Sequence, residues 1–253
     1  MIIYFTSTGN CEYVSKRIAE RTHDYTVSMI ESNKNKQFEF HLEKQEPLGI
    51  VIPTYFWGLP TFVEDYMSQI KITSENNNPY IYIITTYGTT PGYSAGYLEE
   101  YITDINLEVS FKASVKMPDD WTVRFDLSDP EKISKQILEA DKQINNIIPR
   151  IINKESGNYV KREIPRFISN MARGPYDKGR KTSHLHVENN CTGCGICANN
   201  CPIDAIELID NRPHWKTEYC VMCLRCLHHC PTFSIQYDNK TQNHGQYIHP
   251  KMM

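Results

Sequence analysis

Cysteines carry most of the chemistry that this sequence could perform. Two runs near the C-terminus share the spacing C-x2-C-x2-C-x3-C followed by proline, and together they contain eight of the nine cysteines. Thiolates two or three residues apart can turn inward from one compact loop, which suits the soft coordination of an iron–sulfur cluster. Structural zinc more often uses separated cysteine pairs or mixtures of cysteine and histidine. The pattern therefore predicts iron–sulfur clusters and one-electron chemistry.

The ligand sets follow from the way in which such runs bind their clusters. In this bacterial ferredoxin spacing, the first three thiolates of a run hold one [4Fe–4S] cluster and the fourth reaches across to the other. The spacing thus implies two [4Fe–4S] clusters. The first would be held by Cys191, Cys194, Cys197 and Cys230, and the second by Cys201, Cys220, Cys223 and Cys226.

The remainder of the chain has the composition of a folded protein. It has 253 residues, a hydrophobic content of 40% and a net charge of −3. No apolar stretch reaches the length of a membrane span, and no signal-peptide pattern is present. Free thiolates also need a reducing compartment. We therefore expect a cytoplasmic protein without a membrane partner.

Strands and helices alternate over the first 152 residues. Apolar runs predict five strands, at 1–5, 25–30, 48–54, 79–86 and 108–117, and helical periods lie between and after them, at 61–70, 94–103 and 130–152. Residues 33–45 show no clear period. This alternation predicts an α/β fold with a five-stranded parallel doubly wound sheet. Ligands of such sheets bind at the carboxyl ends of the strands.

The first loop at that edge has the composition of a phosphate site. Strand 1–5 runs directly into Thr6, Ser7, Thr8, Gly9, Asn10 and Cys11, and a helical pattern follows. Backbone N–H groups and the dipole at a helix N-terminus attract anions. The loop is neither a Walker A motif nor a dinucleotide fingerprint. Its neutral donors suit a buried phosphate monoester such as that of FMN.

Two further loops suit a flat conjugated ring. The loop after the third strand contains Pro53, Thr54, Tyr55, Phe56, Trp57 and Gly58. The loop after the fourth strand contains Thr86, Tyr87, Gly88, Thr89 and Tyr93. Aromatic side chains can stack on such a ring while backbone groups hydrogen-bond to its edge.

These loops resemble those of flavodoxins, whose T/S-x-T-G-x-T phosphate loop is matched by residues 6–11 and whose Trp-Gly pair is matched by Trp57 and Gly58. The resemblance implies that Gly58 lies beside flavin N5 and that Trp57 or Phe56 lies against the ring. Either Tyr87 or Tyr93 would cover the opposite face. Two positions depart from the family pattern: Leu59 replaces an acidic residue, and Cys11 replaces a hydroxyl that binds phosphate.

The whole chain resembles the flavodoxin–ferredoxin fusion proteins of anaerobic bacteria and archaea. The resemblance implies an FMN domain at 1–152, a basic linker at 153–186 and a small α+β ferredoxin domain with two [4Fe–4S] clusters at 187–253. The linker lacks a nucleic-acid recognition motif, so we expect it to cover an acidic domain rather than bind nucleic acid.

The function that follows is intramolecular electron transfer between FMN and the two clusters, in exchange with soluble redox proteins. An alternative is an FMN-dependent reductase, a ferredoxin-type flavin oxidoreductase that reduces a small organic molecule with electrons from the clusters. A homodimer is a further expectation, because a cluster near a neighbour's flavin would also complete an electron path.

Overall fold

The computed structural model describes residues 1–252. The strands are β1 (Ile2–Tyr4), β2 (Thr26–Ser28), β3 (Glu39–Leu42), β4 (Leu48–Pro53), β5 (Lys71–Ser74), β6 (Ile81–Tyr87), β7 (Phe111–Lys116), β8 (Gly157–Tyr159), β9 (Leu185–Val187), β10 (Ile206–Ile209), β11 (Arg212–Trp215) and β12 (Ile235–Tyr237). The α-helices are α1 (Asn10–Thr22), α2 (Met29–Lys34), α3 (Thr61–Met67), α4 (Ser94–Asp104), α5 (Pro130–Ile152), α6 (Arg166–Ser169), α7 (Arg173–Gly179), α8 (Ile196–Asn199) and α9 (Arg225–His228). None of the helices in this range is both long enough and apolar enough to span a bilayer.

Six parallel strands form the central sheet, in the order β2-β1-β4-β6-β7-β8. β1 pairs with β2 on one side and with β4 on the other, so the chain reverses its direction of travel across the sheet at β1. Such a reversal is the topological switch point at which doubly wound folds bind ligands. The loops that follow β1, β4, β6 and β7 open at this edge.

The predicted number of five strands in this sheet is wrong by one. β8 pairs in parallel with β7, with Gly157 opposite Phe111, and extends the sheet at its edge. All three residues of β8 are exposed, and none is aliphatic. Backbone pairing and the contact between the Tyr159 and Phe111 rings hold the strand, so no apolar run marks it in the sequence.

Helices cover both faces of the sheet because its central strands are apolar on both sides. On one face, α1 and α5 pack their apolar stripes against the sheet, with Val14 and Ile144 near Val51. On the other face, Phe62 of α3 and Leu98 of α4 pack near Ile50. These two layers hold the carboxyl ends of β1 and β4 in fixed positions.

Residues 33–45, which show no clear period, contain β3. This strand pairs in parallel with β5 to form a separate two-stranded sheet. Its outward residues are exposed, whereas Phe40 and Leu42 are buried in the core beside α3.

The C-terminal unit is small and is built around the two cysteine runs. β9 pairs with β12 and β10 pairs with β11, both antiparallel, while α8 and α9 each form a single turn within one cysteine run. Its apolar core includes Ile206, Leu227 and Ile235. With so few apolar residues, the unit depends on its neighbours and on whatever the cysteines bind.

Residues 153–186 connect the two units and contact both. Arg173 lies 2.7 Å from Glu64 of α3, and Arg166 lies 3.0 Å from Glu100 of α4. The buried Tyr176 hydroxyl accepts a hydrogen bond from the Thr61 N–H and donates one to a carbonyl of the second cysteine run. The segment thus contains structure of its own, and the domain boundaries placed at its two ends stay predictions.

Residues 238–252 run back across both units. The Gln246 amide donates hydrogen bonds to three carbonyls in the second cysteine run, those of Leu227, His228 and Cys230. The next residue, Tyr247, donates from its hydroxyl to Asn10 at the start of α1. The tail therefore joins the second cysteine run to the loop that follows β1.

Candidate functional site

A cavity of about 800 Å³ opens at the carboxyl edge of the sheet. Pockets for small molecules and cofactors commonly fall between about 300 and 1,000 Å³. Most residues predicted for the flavin site line it, namely Thr6, Ser7, Asn10, Cys11, Pro53, Thr54, Tyr55, Phe56, Trp57, Thr86, Tyr87, Gly88 and Thr89. Thr8, Gly9, Gly58 and Tyr93 lie outside its wall. The volume and the aromatic lining fit a flavin ring.

The loop at residues 6–11 has the backbone of an anion-binding turn. Gly9 adopts a left-handed conformation with φ of 95° and immediately precedes α1. Its N–H donates to the Thr6 hydroxyl at 2.9 Å, which closes the loop on itself. Only the small glycine fits here, because a Cβ would lie 2.9 Å from Met252 of the C-terminal tail. The loop is thus shaped by β1, α1 and the tail together.

Asp120 is a site residue that sequence reasoning missed. Its carboxylate accepts hydrogen bonds from the Ser7 hydroxyl at 3.0 Å and from the Thr8 hydroxyl at 2.6 Å. Asp120 follows β7 and lines the cavity. An anion therefore lies against this loop in the structure itself. Its position after a predicted strand was an available signal, since polar residues there face the ligand edge of the sheet.

The adjacent Asp119 has a different environment. It lines the same cavity, and its carboxylate accepts a hydrogen bond from the Trp121 N–H at 3.3 Å. Burial, reinforced by the nearby charge of Asp120, raises the pKa of Asp119 to about 6. The close approach to the loop after β6 requires Gly88, since a Cβ there would lie 2.1 Å from the Asp119 carboxylate.

Cys11 occupies the last position of the loop and is fully buried. Its Sγ lies 3.1 Å from the Thr86 hydroxyl at the end of β6. Burial raises the pKa of the Cys11 thiol well above its ordinary value. A neutral thiol in this setting acts as a small packing residue and a weak hydrogen-bonding group rather than as a nucleophile.

A tight aromatic turn forms the second wall. Tyr55 and Gly58 exchange backbone hydrogen bonds of 2.9 and 2.8 Å, and the two residues between them, Phe56 and Trp57, have φ angles of 46° and 65°. Left-handed backbone is costly for bulky residues and persists only where the surroundings enforce it. Here Gly92 packs directly beneath the turn. The strain turns two large rings toward the cavity.

Gly58 lies on the opposite side of this turn. Its carbonyl accepts hydrogen bonds from the Tyr55 N–H and from the Ser94 hydroxyl, and the residue lines a neighbouring cavity beside Tyr97. The placement of Gly58 beside flavin N5 stays a prediction, and in this conformation both of these bonds would have to be broken.

Of the two tyrosines considered for the opposite face, Tyr87 lines the cavity. Tyr93 instead packs edge-on against Tyr97 at 5.1 Å, and its N–H donates to the Trp57 carbonyl. The loop after β7 supplies a further ring, because Trp121 lines the cavity and contacts Phe56 edge-on at 4.9 Å. The aromatic wall is therefore built from three loops.

The cysteines separate into the two sets predicted from their spacing. One small cavity is lined by Cys191, Cys194, Cys197 and Cys230, and another by Cys201, Cys220, Cys223 and Cys226. Backbone N–H groups donate to Sγ of Cys201, Cys220 and Cys230 at 3.2 to 3.3 Å, as thiolate ligands require. The grouping fits the crossed ligation of two clusters.

Among residues 1–252, no three His, Cys, Asp or Glu side chains are gathered closely enough to hold one ion. A cluster distributes its thiolates over several iron atoms. Every cysteine in that range is free of disulfide bonds, so all eight thiols are available.

The two kinds of site share a wall. Met222, Cys223 and Leu224 line the large cavity on one side and the cavity of the Cys201 set on the other. Cys223 would therefore be a cluster ligand in direct contact with the flavin cavity. The Cys191 set lies away from this wall, and Cys194 is exposed to solvent.

Family models match both parts of the chain. A model described as a flavodoxin domain matches residues 1–178, and one described as a 4Fe-4S dicluster domain matches residues 190–235. These matches imply flavin binding in the first part and iron–sulfur binding in the second.

Individual relatives match less of the chain. An uncharacterized polyferredoxin-like protein of Methanocaldococcus jannaschii is 40% identical over 62 residues, which cover 19% of this chain and 37% of that protein. A solved flavodoxin from the domain Archaea is 14% identical, with a TM-score of 0.32, over 57% of this chain and 97% of its own. The Trp repressor binding protein of Bacillus subtilis is 11% identical, with a TM-score of 0.38, over 62% of this chain and 99% of its own.

Proposed function

Since this chain belongs to the flavodoxin domain family, we propose that it transfers electrons between FMN in the large cavity and two [4Fe–4S] clusters on the cysteine runs. The coarser role, electron transfer by a flavodoxin domain joined to an iron–sulfur domain, is supported by the two family matches. The identity of the flavin, the number of clusters and the order of the centres are the parts proposed here.

One observation carries the proposal. Residues 222–224 form a common wall between the flavin cavity and the cavity of the Cys201 set. Two redox centres on either side of a single layer of residues exchange electrons without a docking step. FMN, when bound, converts between two-electron and one-electron chemistry, which clusters cannot do.

The residues of the chain hold and shield these centres. The hydroxyls and N–H groups of residues 6–11 would bind the flavin phosphate, since a helix N-terminus with neutral donors stabilises an anion. Phe56, Tyr87 and Trp121 would enclose the ring and exclude water from it. The eight cysteines would bind iron in the two sets given above.

Burial of the two cysteine sets supports an order for the centres. The Cys201 set adjoins the flavin cavity, and the Cys191 set lies nearer to solvent, with Cys194 and the apolar Ile196 both exposed. We propose that a soluble redox protein exchanges electrons at this outer set. The eight thiols must stay reduced to bind iron, which favours a cytoplasmic location. A homodimer is a further proposal, as is the absence of nucleic-acid and membrane partners.

A second candidate is an FMN-dependent reductase of a small organic molecule. The observation that favours it is Asp119, a cavity carboxyl group whose raised pKa of about 6 suits proton donation near neutral pH. Trp57 lines the cavity and is 36% exposed, so solvent reaches this part of the wall. The test is the rate at which small quinones or nitro compounds reoxidise the reduced protein. A rate that is much slower in Asp119→Asn than in the unmodified chain would support this second function.

The test of the main proposal is an anaerobic reductive titration of the purified full chain, followed by visible absorbance. We expect an uptake of about four electrons per chain, two for the flavin and one for each cluster. The same protein after removal of the flavin is the control, and it should take up about two. An uptake of about two by the untreated protein, with only the clusters bleaching, would refute the flavin assignment.

A further inference from the structure

The carboxylate of Asp120 lies where the loop at residues 6–11 would hold a phosphate. Ser7 and Thr8 both donate their hydroxyl hydrogens to the same oxygen of this carboxylate, at 3.0 and 2.6 Å. Charge-assisted hydrogen bonds of this kind are roughly twice as strong as hydrogen bonds between neutral groups. Two of the donors expected for a flavin phosphate are therefore already engaged by the protein itself.

The backbone of Asp120 is held independently of its side chain. His228 of the second cysteine run lies with Nε2 2.8 Å from the Asp120 carbonyl, and its Nδ1 accepts a hydrogen bond from the Tyr247 N–H. Since Nδ1 accepts, Nε2 carries the hydrogen and donates to Asp120. The Thr122 N–H donates to the same carbonyl. A rotation of the carboxylate away from the loop would thus leave the main chain in place.

We propose that Asp120 determines which flavin this cavity selects, by competing with the flavin phosphate for the hydroxyls of residues 6–11. A phosphate must displace the carboxylate from both hydroxyls and is repelled by its negative charge. A flavin without a phosphate leaves both hydrogen bonds intact and is not repelled. Asp120 therefore lowers the affinity for FMN relative to the affinity for riboflavin. The inference rests on the proposed function, since it concerns the flavin of the same cavity.

Asp119 provides a matched comparison. It is the neighbouring residue, carries the same type of carboxylate and lines the same cavity. Among the residues that the structure describes, its hydrogen-bond donor is the Trp121 N–H rather than either loop hydroxyl. Removing the charge at Asp119 changes the general field of the cavity, and removing it at Asp120 also frees the two donors.

The experiment compares Asp120→Ala, Asp120→Asn and Asp119→Asn with the unmodified full chain, with both cysteine runs loaded with iron under anaerobic conditions. Dissociation constants for FMN and riboflavin are measured by quenching of flavin fluorescence. For Asp120→Ala we expect FMN binding at least about tenfold tighter, about 1.4 kcal/mol, and riboflavin binding changed by less than about twofold. Asp120→Asn should show the same selective gain to a smaller extent, because the amide oxygen still accepts from the hydroxyls.

Three results would overturn the inference: an equal gain for FMN and riboflavin in Asp120→Ala, a selective gain as large in Asp119→Asn, or weaker FMN binding when Asp120 is removed. Inorganic phosphate provides an arm that does not depend on flavin. If Asp120→Ala is stabilised by phosphate against thermal unfolding and the unmodified chain is not, the competition stands even where no variant binds flavin, and the proposed function alone fails. If neither FMN nor phosphate binds more tightly, the competition is refuted.

Discussion

Gly92 is expected to hold the aromatic turn in place, and its replacement by alanine tests how the cavity wall is built. The residue has φ of +59°, and a Cβ at this position would lie 2.0 Å from the carbonyl oxygen of Trp57. The obstacle is backbone rather than a flexible side chain. The turn at Tyr55–Gly58 must therefore move if the Cβ is added.

Two costs add in Gly92→Ala. Left-handed backbone disfavours a residue with a Cβ by about 1–2 kcal/mol, and overpacking against a fixed neighbour costs about 1–3 kcal/mol. A destabilisation of about 3 kcal/mol lowers the Tm by about 6–12 °C for a chain of this size. Because Phe56 and Trp57 would shift with the turn, flavin binding should also weaken, by at least about tenfold.

Differential scanning calorimetry and flavin fluorescence measure the two effects. Gly174→Ala is the control, because a Cβ there has nothing within 4 Å and the residue lies in α7, where alanine is favoured over glycine by about 1 kcal/mol. We expect this variant to be neutral or slightly stabilised. If Gly92→Ala melted within about 2 °C of the unmodified chain and kept its flavin affinity, the turn would not be held by Gly92.

Three further predictions concern other parts of the chain. Burial raises the pKa of Asp119 from 3.8 to about 6. The stability of the unmodified chain is therefore unaffected by this group below pH 3.8, where the carboxyl group is protonated, and falls as the pH rises through 6 and the buried group ionises. Asp119→Asn should therefore gain stability over the unmodified chain between these values, by up to about 3 kcal/mol in chemical denaturation, and a constant difference across that range would contradict the assignment. Cys223→Ser should lose electron transfer from the flavin to the cluster of the Cys201 set, the inner cluster, in stopped-flow reduction. Cys194→Ser alters the outer set and should keep this transfer. An equal loss in both variants would exclude the proposed order. Gln246→Ala should destabilise the second cysteine run by about 1–3 kcal/mol and speed cluster bleaching by a chelator, while Gln242→Ala, whose amide binds only an exposed carbonyl, should not.

The sequence predicts the central sheet well because its strands are buried on both faces. A continuous apolar run, such as the one within 48–54, is typical of a strand that is buried on both faces. β8 breaks this rule, because it is held by backbone pairing at the sheet edge and carries no aliphatic side chain. The second predicted strand is shorter than expected for a different reason: Ser28 caps α2 by accepting from the Glu31 N–H, so Met29 and Ile30 are helical.

The residues of the candidate site also differ in how well the sequence predicts them. Residues adjacent in sequence, such as the loop 6–11 and the cysteine runs, could be found because spacing alone defines them. Asp120 was missed although it follows a predicted strand, because its role depends on contacts with Ser7 and Thr8, more than a hundred residues earlier. Gly58 is the opposite case: a local motif predicts its place beside the ring, whereas its hydrogen bond from Ser94, a residue distant in sequence, was not foreseen.

Hydrogen bonds hold the second cysteine run beside the large cavity. Cys223 borders the flavin cavity from the loop that precedes α9. His228 and Tyr247 hold this part of the chain against the cavity through hydrogen bonds to Asp120 and Asn10. Both of these contacts end on residues of the flavin cavity. A flavin phosphate that displaces the Asp120 carboxylate would therefore lie near His228, which holds the second cysteine run against Asp120. Occupation of the cavity would then affect the position of the Cys201 set through the same contacts, those that join His228 to Asp120 and to Tyr247.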